Sequence, residues 1–219
     1  MKFLFELIKK IIPSENKWQG SQHYWNQRYK KGGNSGAGSY NNLAIFKAEI
    51  INKFVEKNNI QSVIEWGCGD GNQLSLANYP SYIGYDVSPK AIYFCKKKFK
   101  KDRTKHFICS SSPFFRNSKK ADLGLSLDVL YHLVEDDVFE HYMNQLFSTS
   151  NKFVIIYSCN DTDLTANASH VKRRKFTDWI DNNAPKWKLK KFIPNKYPYN
   201  PQDPENTTWS DFYIYEYKE

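Results

Sequence analysis

Residues 62–71, Ser-Val-Ile-Glu-Trp-Gly-Cys-Gly-Asp-Gly, constrain the fold more than any other stretch of this 219-residue chain. A short apolar run passes directly into an acid and then into three glycines at alternate positions. Glycine tolerates positive φ and lets a ligand approach bare backbone, so three glycines in five residues mark a strand ending in a turn shaped around something. A helix is expected to start near Asn72. Fifteen residues beyond Gly71, a second run, Tyr82-Ile83-Gly84-Tyr85-Asp86, ends in a carboxylate. If the two runs are neighbouring parallel strands, Asp86 stands where a ribose diol would meet its acceptor.

The surrounding pattern fits a parallel sheet. Runs 62–66, 82–85, 106–109, 121–127 and 153–157 read as strands, alternating with helical stretches 72–77, 89–99, 135–147 and 175–181. Such alternation predicts helices on both faces of the sheet. Two further strand-like runs, 188–193 and 212–217, have no helix between them and are joined by the Pro- and Asn-rich stretch 194–210, which predicts an antiparallel hairpin. Upstream, Leu43, Ile45, Phe46, Ile50, Ile51, Phe54 and Val55 follow helical spacing from Asn41 to Lys57. Before that helix, polar and aromatic residues 18–29 lead into Gly32-Gly33-Asn34-Ser35-Gly36-Ala37-Gly38-Ser39, a composition that predicts a mobile lid. The domain reading is an N-terminal helix and lid over 1–40 and one α/β domain over 41–219.

The four cysteines, Cys68, Cys95, Cys109 and Cys159, form no C-x-x-C pair and lie in or beside apolar runs, as buried small hydrophobes do in a reducing, cytoplasmic compartment. No metal site is expected. The net charge of +9 draws on Lys96 to Lys101, read as the solvated face of a helix whose apolar side is Ala91, Ile92 and Cys95, and on Lys172 to Lys175 in a loop. Residues 1–13 are apolar but broken by Glu6, Lys9 and Lys10, so they cannot span a bilayer or act as a secretion signal. They read as an amphipathic helix ended by Pro13, docking on the domain, on a partner or peripherally at a membrane.

The G-x-G-x-G spacing differs from the G-x-G-x-x-G of pyrophosphate-binding dinucleotide sites. Glu65, Gly67, Gly69, Gly71 and Asp86 together resemble the first and second motifs of the class I methyltransferases that use S-adenosylmethionine (SAM). The terminal hairpin is similar to the end of that Rossmann-like, seven-stranded mixed sheet. The resemblance implies SAM as cofactor and S-adenosylhomocysteine (SAH) as product.

In open α/β sheets ligands sit beyond the carboxyl ends of the strands. That position selects Glu65 to Gln73, with Cys68 among them, then Asp86, Val87 and Ser88, then Ser110 and Ser111, then Leu127 and Asp128. The resemblance implies that the Gly67 to Gly71 turn cradles the methionyl and ribose portions, that Asp86 accepts both ribose hydroxyls, and that Ser110 and Ser111 border the adenine. Glu65 and Asp128 are placed to oppose the ligand's ammonium. Ser88 followed by Pro89 also reads as a helix cap. Trp25, with Tyr24, Arg28 and Tyr29, precedes the lid and by resemblance closes over the cofactor, although core packing explains it almost as well.

On the acceptor side, His132 follows the fourth strand and titrates near neutrality, which suits a base; a structural role capping the helix near Glu135 competes equally. His170, Arg173 and Arg174 follow the fifth strand, and Asn195, Tyr197 and Tyr199 lie in the hairpin loop on the same side. Guanidinium groups bind phosphate or carboxylate, so this mouth suits an anionic or hydroxyl-rich acceptor. Stretches such as Gly36-x-Gly38-Ser39, Phe46-Lys47-Ala48-Glu49 and Arg174-Lys175-Phe176 resemble small bacterial methyltransferases of surface-polysaccharide modification, which implies O-methylation of a sugar hydroxyl or phosphoryl-type oxygen. Leu127-Asp128-Val129-Leu130 lacks the D/N-P-P-Y/F pattern of enzymes that methylate base amino groups, which argues against DNA, while RNA ribose methylation stays open. A SAM-binding protein without catalysis and a nucleotide-sugar reductase are the remaining alternatives.

Overall fold

Side chains along the central strands divide between two faces of one seven-stranded sheet. The strands are β1 (Val63–Trp66), β2 (Tyr82–Asp86), β3 (Lys105–Cys109), β4 (Ala121–Leu127), β5 (Ser150–Ser158), β6 (Trp187–Ile193) and β7 (Asp211–Tyr217), in the order β3-β2-β1-β4-β5-β7-β6. The computed structural model describes residues 18–113, 115, 119–162 and 168–219, so the helix expected over 1–13 lies outside the described residues. Strands β1 to β5 are parallel, β7 runs antiparallel to β5, and β6 antiparallel to β7. The strand order reverses between β1 and β4, which puts the ligand crevice beyond their carboxyl ends.

Period-two alternation sorts the core. Val63, Leu123, Leu125, Phe153 and Ile155 face helices α2 (Asn41–Lys57) and α3 (Pro89–Lys98), where Phe46, Ile51, Val55, Ile92 and Cys95 meet them. Ile64, Trp66, Val154 and Ile156 face α4 (Asp136–Ser148) and α5 (Phe176–Asn183), against Phe139, Met143, Leu146, Trp179 and Ile180. α3 starts as its sequence directs: Ser88 Oγ accepts the Ala91 N–H at 3.4 Å and Pro89 takes the first helical position. None of the four cysteines is in a disulfide, and no helix among the described residues is long and apolar enough to cross a membrane.

Two elements differ from expectation. The helix expected over 72–77 is a single 3-10 turn, Gln73–Leu76. Polar side chains take its backbone partners: Asp70 accepts the Asn72 N–H, and the Ser75 hydroxyl bonds the Asn72 carbonyl. Conversely, residues 18–29 carry an unforeseen helix, α1 (Ser21–Lys30). No apolar stripe marks it, because it is held at its start by polar contacts. The Ser21 N–H and hydroxyl donate to the Glu135 carboxylate at 2.8 and 2.5 Å, and the Val134 N–H donates back to Ser21 Oγ.

Gly71 shows how the turn after β1 meets the core. Its φ is +72°, and a Cβ there would lie 2.9 Å from the Phe99 ring and 3.0 Å from Cys95 Sγ. Gly71→Ala combines left-handed strain with overpacking and is expected to lower stability by about 2–4 kcal/mol in urea unfolding. A loss under about 0.5 kcal/mol, the scale of an ordinary surface change, would contradict this packing.

Candidate functional site

The turn after β1 is drawn in by backbone bonds and needs its glycines for close approach. The Gly67 and Cys68 N–H groups both donate to the Tyr85 carbonyl at the end of β2. Gly67 has φ +82°, and a Cβ on it would stand 2.5 Å from Val129 Cγ2. Gly69 has φ +57°, and its Cβ would fall 2.3 Å from Ser35 Oγ. That contact brings in the lid: the Ser35 N–H donates to Asp70 at 3.0 Å, Ser35 Oγ accepts the Asp70 N–H, and the Tyr40 hydroxyl donates to the same carboxylate. The glycine-rich segment therefore lies closed against the turn.

Below the lid, a cavity of about 170 Å³ is bounded by the turn, Glu65, Gln73, Asp86, Val87, Ser110, Leu127, Asp128 and His132. Both acids on the β1 and β2 ends are buried, and burial is the main cause of a raised pKa in each. Glu65, which accepts the Tyr82 hydroxyl at 2.6 Å, is pushed up to about 7. Asp86, which accepts the Gly69 and Ser88 N–H groups at 2.9 and 2.8 Å, is pushed up to about 6. Gln73 donates to the Ala44 carbonyl through Nε2, while its buried Oε1 meets no donor among the described residues. Two carboxyls short of partners and an orphan oxygen around glycine-lined space suit a ligand bringing hydroxyl donors at one end and an ammonium at the other. The residues present thus fit SAM.

Several expected site residues do not line this cavity and are held by neighbouring elements. Gly71 packs on α3, and Ser88 caps it. The Ser111 hydroxyl donates to the Val87 carbonyl, tying the β3 end to the loop after β2. Arg174 lines neither this cavity nor the one adjoining it: its guanidinium donates to the Leu133 and Val134 carbonyls and pairs with Asp136, bracing the loop between β4 and α4. In the hairpin loop Asn195 bonds the Tyr197 and Thr208 carbonyls, and Tyr197 packs against Phe46, so of the three only Tyr199 reaches a cavity wall.

A second cavity of about 410 Å³ adjoins the first, and the two share Trp25, Ser35, Asp128 and His132. Its walls include Tyr24, Arg28, Tyr131, His170, Arg173, Tyr199 and Trp209. His132 sits in a 3-10 turn, Leu130–His132, and does not cap α4, whose N-cap is Glu135. Its Nδ1 lies 3.1 Å from the His170 carbonyl, and its ring stands edge-on to Trp25 at 4.9 Å. The His170 ring stacks between Tyr24, at 4.3 Å, and His132, at 5.5 Å. Arg173 pairs with Asp161 and lies over the Trp209 ring.

The residue missed by sequence reasoning is Lys47, whose side chain is 0% exposed although it is charged. Its Nζ donates to Asp128 Oδ2 at 2.5 Å, while Asp128 Oδ1 accepts the Tyr131 and Ser210 hydroxyls. Asp128 is held at φ +58°, a costly conformation for a non-glycine residue. Its charge is thus met from behind by Lys47 rather than reserved for the ligand's ammonium. One signal was available: Lys47 falls four residues from Leu43 and four from Ile51, on the apolar stripe of α2. Lys47→Met is expected to cost about 3–5 kcal/mol by stranding the carboxylate, and Asp128→Asn to cost a similar amount. The double variant should cost less than the sum by about 1–3 kcal/mol in chemical denaturation. Strict additivity would mean that the pair is not a unit.

The profile of a family described as "Methyltransferase domain" matches residues 64–148. No curated protein matches the chain. Among solved structures, the chain is similar to magnesium protoporphyrin IX methyltransferase (ChlM) from Synechocystis PCC 6803 with bound SAM, at TM-score 0.65 and 13% identity, covering 93% of this chain and 100% of that one. It is also similar to the N-methyltransferase NodS from Bradyrhizobium japonicum WM9 in complex with SAH, at TM-score 0.66 and 13% identity, covering 89% and 99%. The methyltransferase domain of bacterial CtHen1 matches at TM-score 0.62 and 20% identity over 81% and 100%. The fold is therefore the one these methyltransferases share, and the domain match over residues 64–148 supports SAM-dependent methyl transfer as the activity of the chain.

Proposed function

We propose that the enzyme methylates a hydroxyl oxygen of a small or glycan-linked acceptor, in the cytoplasmic assembly of a surface polysaccharide, with His132 as the base. The observation that carries this reading is the protonation state and place of that ring. A carbonyl oxygen only accepts, so the contact with His170 assigns the ring proton to Nδ1 and leaves Nε2 as a bare acceptor. Burial lowers the pKa of His132 to about 4, so the ring is neutral throughout the physiological range. It stands at the junction of the two cavities, where an acceptor hydroxyl and the cofactor site are both within its reach.

SAM supplies, when bound, a methyl group on a sulfonium that is open to in-line displacement. The Gly67 to Gly69 backbone and the Asp86 carboxylate are suited to hold its ribose, with Val87, Ser110 and Leu127 beside the base, and Gln73 Oε1 and Glu65 to face its ammonium. His132 Nε2 takes the proton from the acceptor oxygen, and the Nδ1 bond to His170 and the Trp25 edge fix the ring while it does so. A polyhydroxylated acceptor is supported by the second cavity, whose walls combine Thr207, Thr208 and Ser210 with Tyr24 and Trp209. The surface-polysaccharide setting rests on the resemblance of the stretches quoted above.

His132→Asn keeps an N–H donor for the His170 carbonyl and removes Nε2. It is expected to lower kcat for labelled methyl transfer by about 10²–10⁴-fold while leaving SAH affinity within about threefold. Wild-type turnover by His132→Asn would return the ring to a structural role. Because the lowered pKa keeps the ring unprotonated, the acid limb of kcat at saturating SAM is expected near pH 4, where an ordinary histidine would place it near 6.5.

Cofactor binding has its own pH signature. Glu65 and Asp86 hold protons near neutrality in the unliganded site, and hydrogen-bond donors or an ammonium favour their ionised forms. Binding SAH should therefore release protons between pH 6 and 7 and tighten as pH rises through that window, as read by calorimetry in buffers of different ionisation heat. Asp86→Asn should remove part of the release. Proton uptake or none at all would show that the two acids do not face the ligand.

A further inference from the structure

The second cavity holds a cation placed differently from the others. Lys47 is paired with Asp128, Arg173 with Asp161, and Lys172 and Arg174 with Asp136. Arg28, on the last turn of α1, meets only neutral oxygens among the described residues: Nε donates to the Asn34 carbonyl at 2.6 Å, and the two terminal nitrogens lie 3.4 Å from the Tyr24 hydroxyl and Asn34 Oδ1. Its stem lies along the lid, where a Cβ on Gly33 would stand 2.9 Å from Arg28 Cγ, and its guanidinium lies 5.6 Å from the Trp25 ring centroid. The group is thus positioned by carbonyl and ring contacts on the cavity wall, beside aromatic surface, with no carboxylate at hydrogen-bond distance among the described residues. Its field reaches both imidazoles of the chamber and disfavours their protonated forms.

From this placement we infer that Arg28 is the specificity-determining residue of the acceptor chamber and binds an oxyanion, carboxylate or phosphate, carried by the acceptor. The inference rests on the reading of the larger cavity as the acceptor chamber. A planar guanidinium presents parallel N–H donors that match two oxygens of such a group, and the Tyr24 and Trp25 side chains on the same wall give the attached ring apolar surface. An anionic acceptor would also screen Arg28 from His132, so the base becomes a better proton acceptor when the correct acceptor arrives. A neutral sugar would leave the guanidinium charge standing beside the base.

The test uses SAH-loaded full-length protein, titrated at constant ionic strength with inorganic phosphate in one arm and acetate in the other. Intrinsic tryptophan fluorescence and thermal shift are the readouts. Saturable binding of at least one anion is expected in the wild type, weakened about tenfold or more in Arg28→Met and less in Arg28→Lys, which keeps the charge but loses the planar fork. Lys186→Met, at the far end of the sheet, should bind as the wild type does. Calorimetric SAH affinity and the unliganded melting temperature show whether each variant retains its fold. The relative strength of the two arms assigns the group as phosphate or carboxylate. Anion binding unchanged in Arg28→Met, or absent from the wild type, overturns the inference. Labelled methyl transfer separates it from the parent reading. Methyl transfer to a hydroxyl by the wild type, together with anion binding unchanged in Arg28→Met, would leave hydroxyl methylation standing and remove the anion site. Arg28-dependent anion binding with the methyl found on nitrogen would do the reverse.

Discussion

The Lys47–Asp128 ion pair is the contact on which the arrangement of the site depends. A fully buried ammonium loses hydration worth several kcal/mol, and only a close carboxylate with further hydrogen bonds offsets that loss. The pair meets those terms by gathering four segments. Lys47 comes from α2 and Asp128 from the end of β4; the Tyr131 hydroxyl comes from the turn that carries His132, and the Ser210 hydroxyl from the hairpin loop. A fifth approach is steric, since a Cβ on Gly38 of the lid would stand 2.7 Å from Asp128 Oδ2. Holding Asp128 at positive φ then makes sense as the bend that turns the chain out of β4 and delivers Tyr131 and His132 to the cavity walls.

Charge compensation at Asp128 also shapes the field of the cofactor site. With that carboxylate met by Lys47, the acids left to act on a ligand are Glu65 and Asp86, both buried and both raised. The glycines between them serve approach more than flexibility. Gly67 admits Val129 and Gly69 admits Ser35, so the β4 loop and the lid come to within contact distance of the turn. Larger residues at either position would hold the lid off and open the cavity to water, where buried carboxyls would return toward their ordinary pKa values.

Strands and core were legible because their signal is periodic and local. β1, β2 and β4 lie within a residue of their expected bounds, and the hairpin of β6 and β7 forms as the absence of an intervening helix implies. The failures share a physical origin. α1 is secured by Glu135, more than a hundred residues away in sequence, and no pattern within α1 encodes that partner. The turn after Gly71 looked helical by composition, yet Asp70, Asn72 and Ser75 spend their polar groups on local bonds instead. Ser111 and Arg174 were selected by their place at strand ends, which identifies the right edge of the sheet but not the direction of a side chain. Arg174 turns toward the carbonyls of Leu133 and Val134, whereas Arg173, its neighbour, turns into the chamber.

The two cavities differ in the ionisable groups they hold, and the difference bears on the chemistry. On the cofactor side stand buried acids without cationic partners at hydrogen-bond distance; on the acceptor side stands a guanidinium without a carboxylate among the described residues. Between them lie a neutral imidazole and an indole, which bring no formal charge of their own. Under the proposed mechanism a cationic donor is drawn to one side and an electron-rich acceptor to the other, with the proposed base at the boundary. A protonated His132 would spoil this division, because it would place a second cation beside Arg28 and withdraw the lone pair that the reaction needs. Burial of the ring, often a cost to a polar group, is what prevents that, so under the proposed mechanism the desolvation of His132 serves the reaction as directly as its position does.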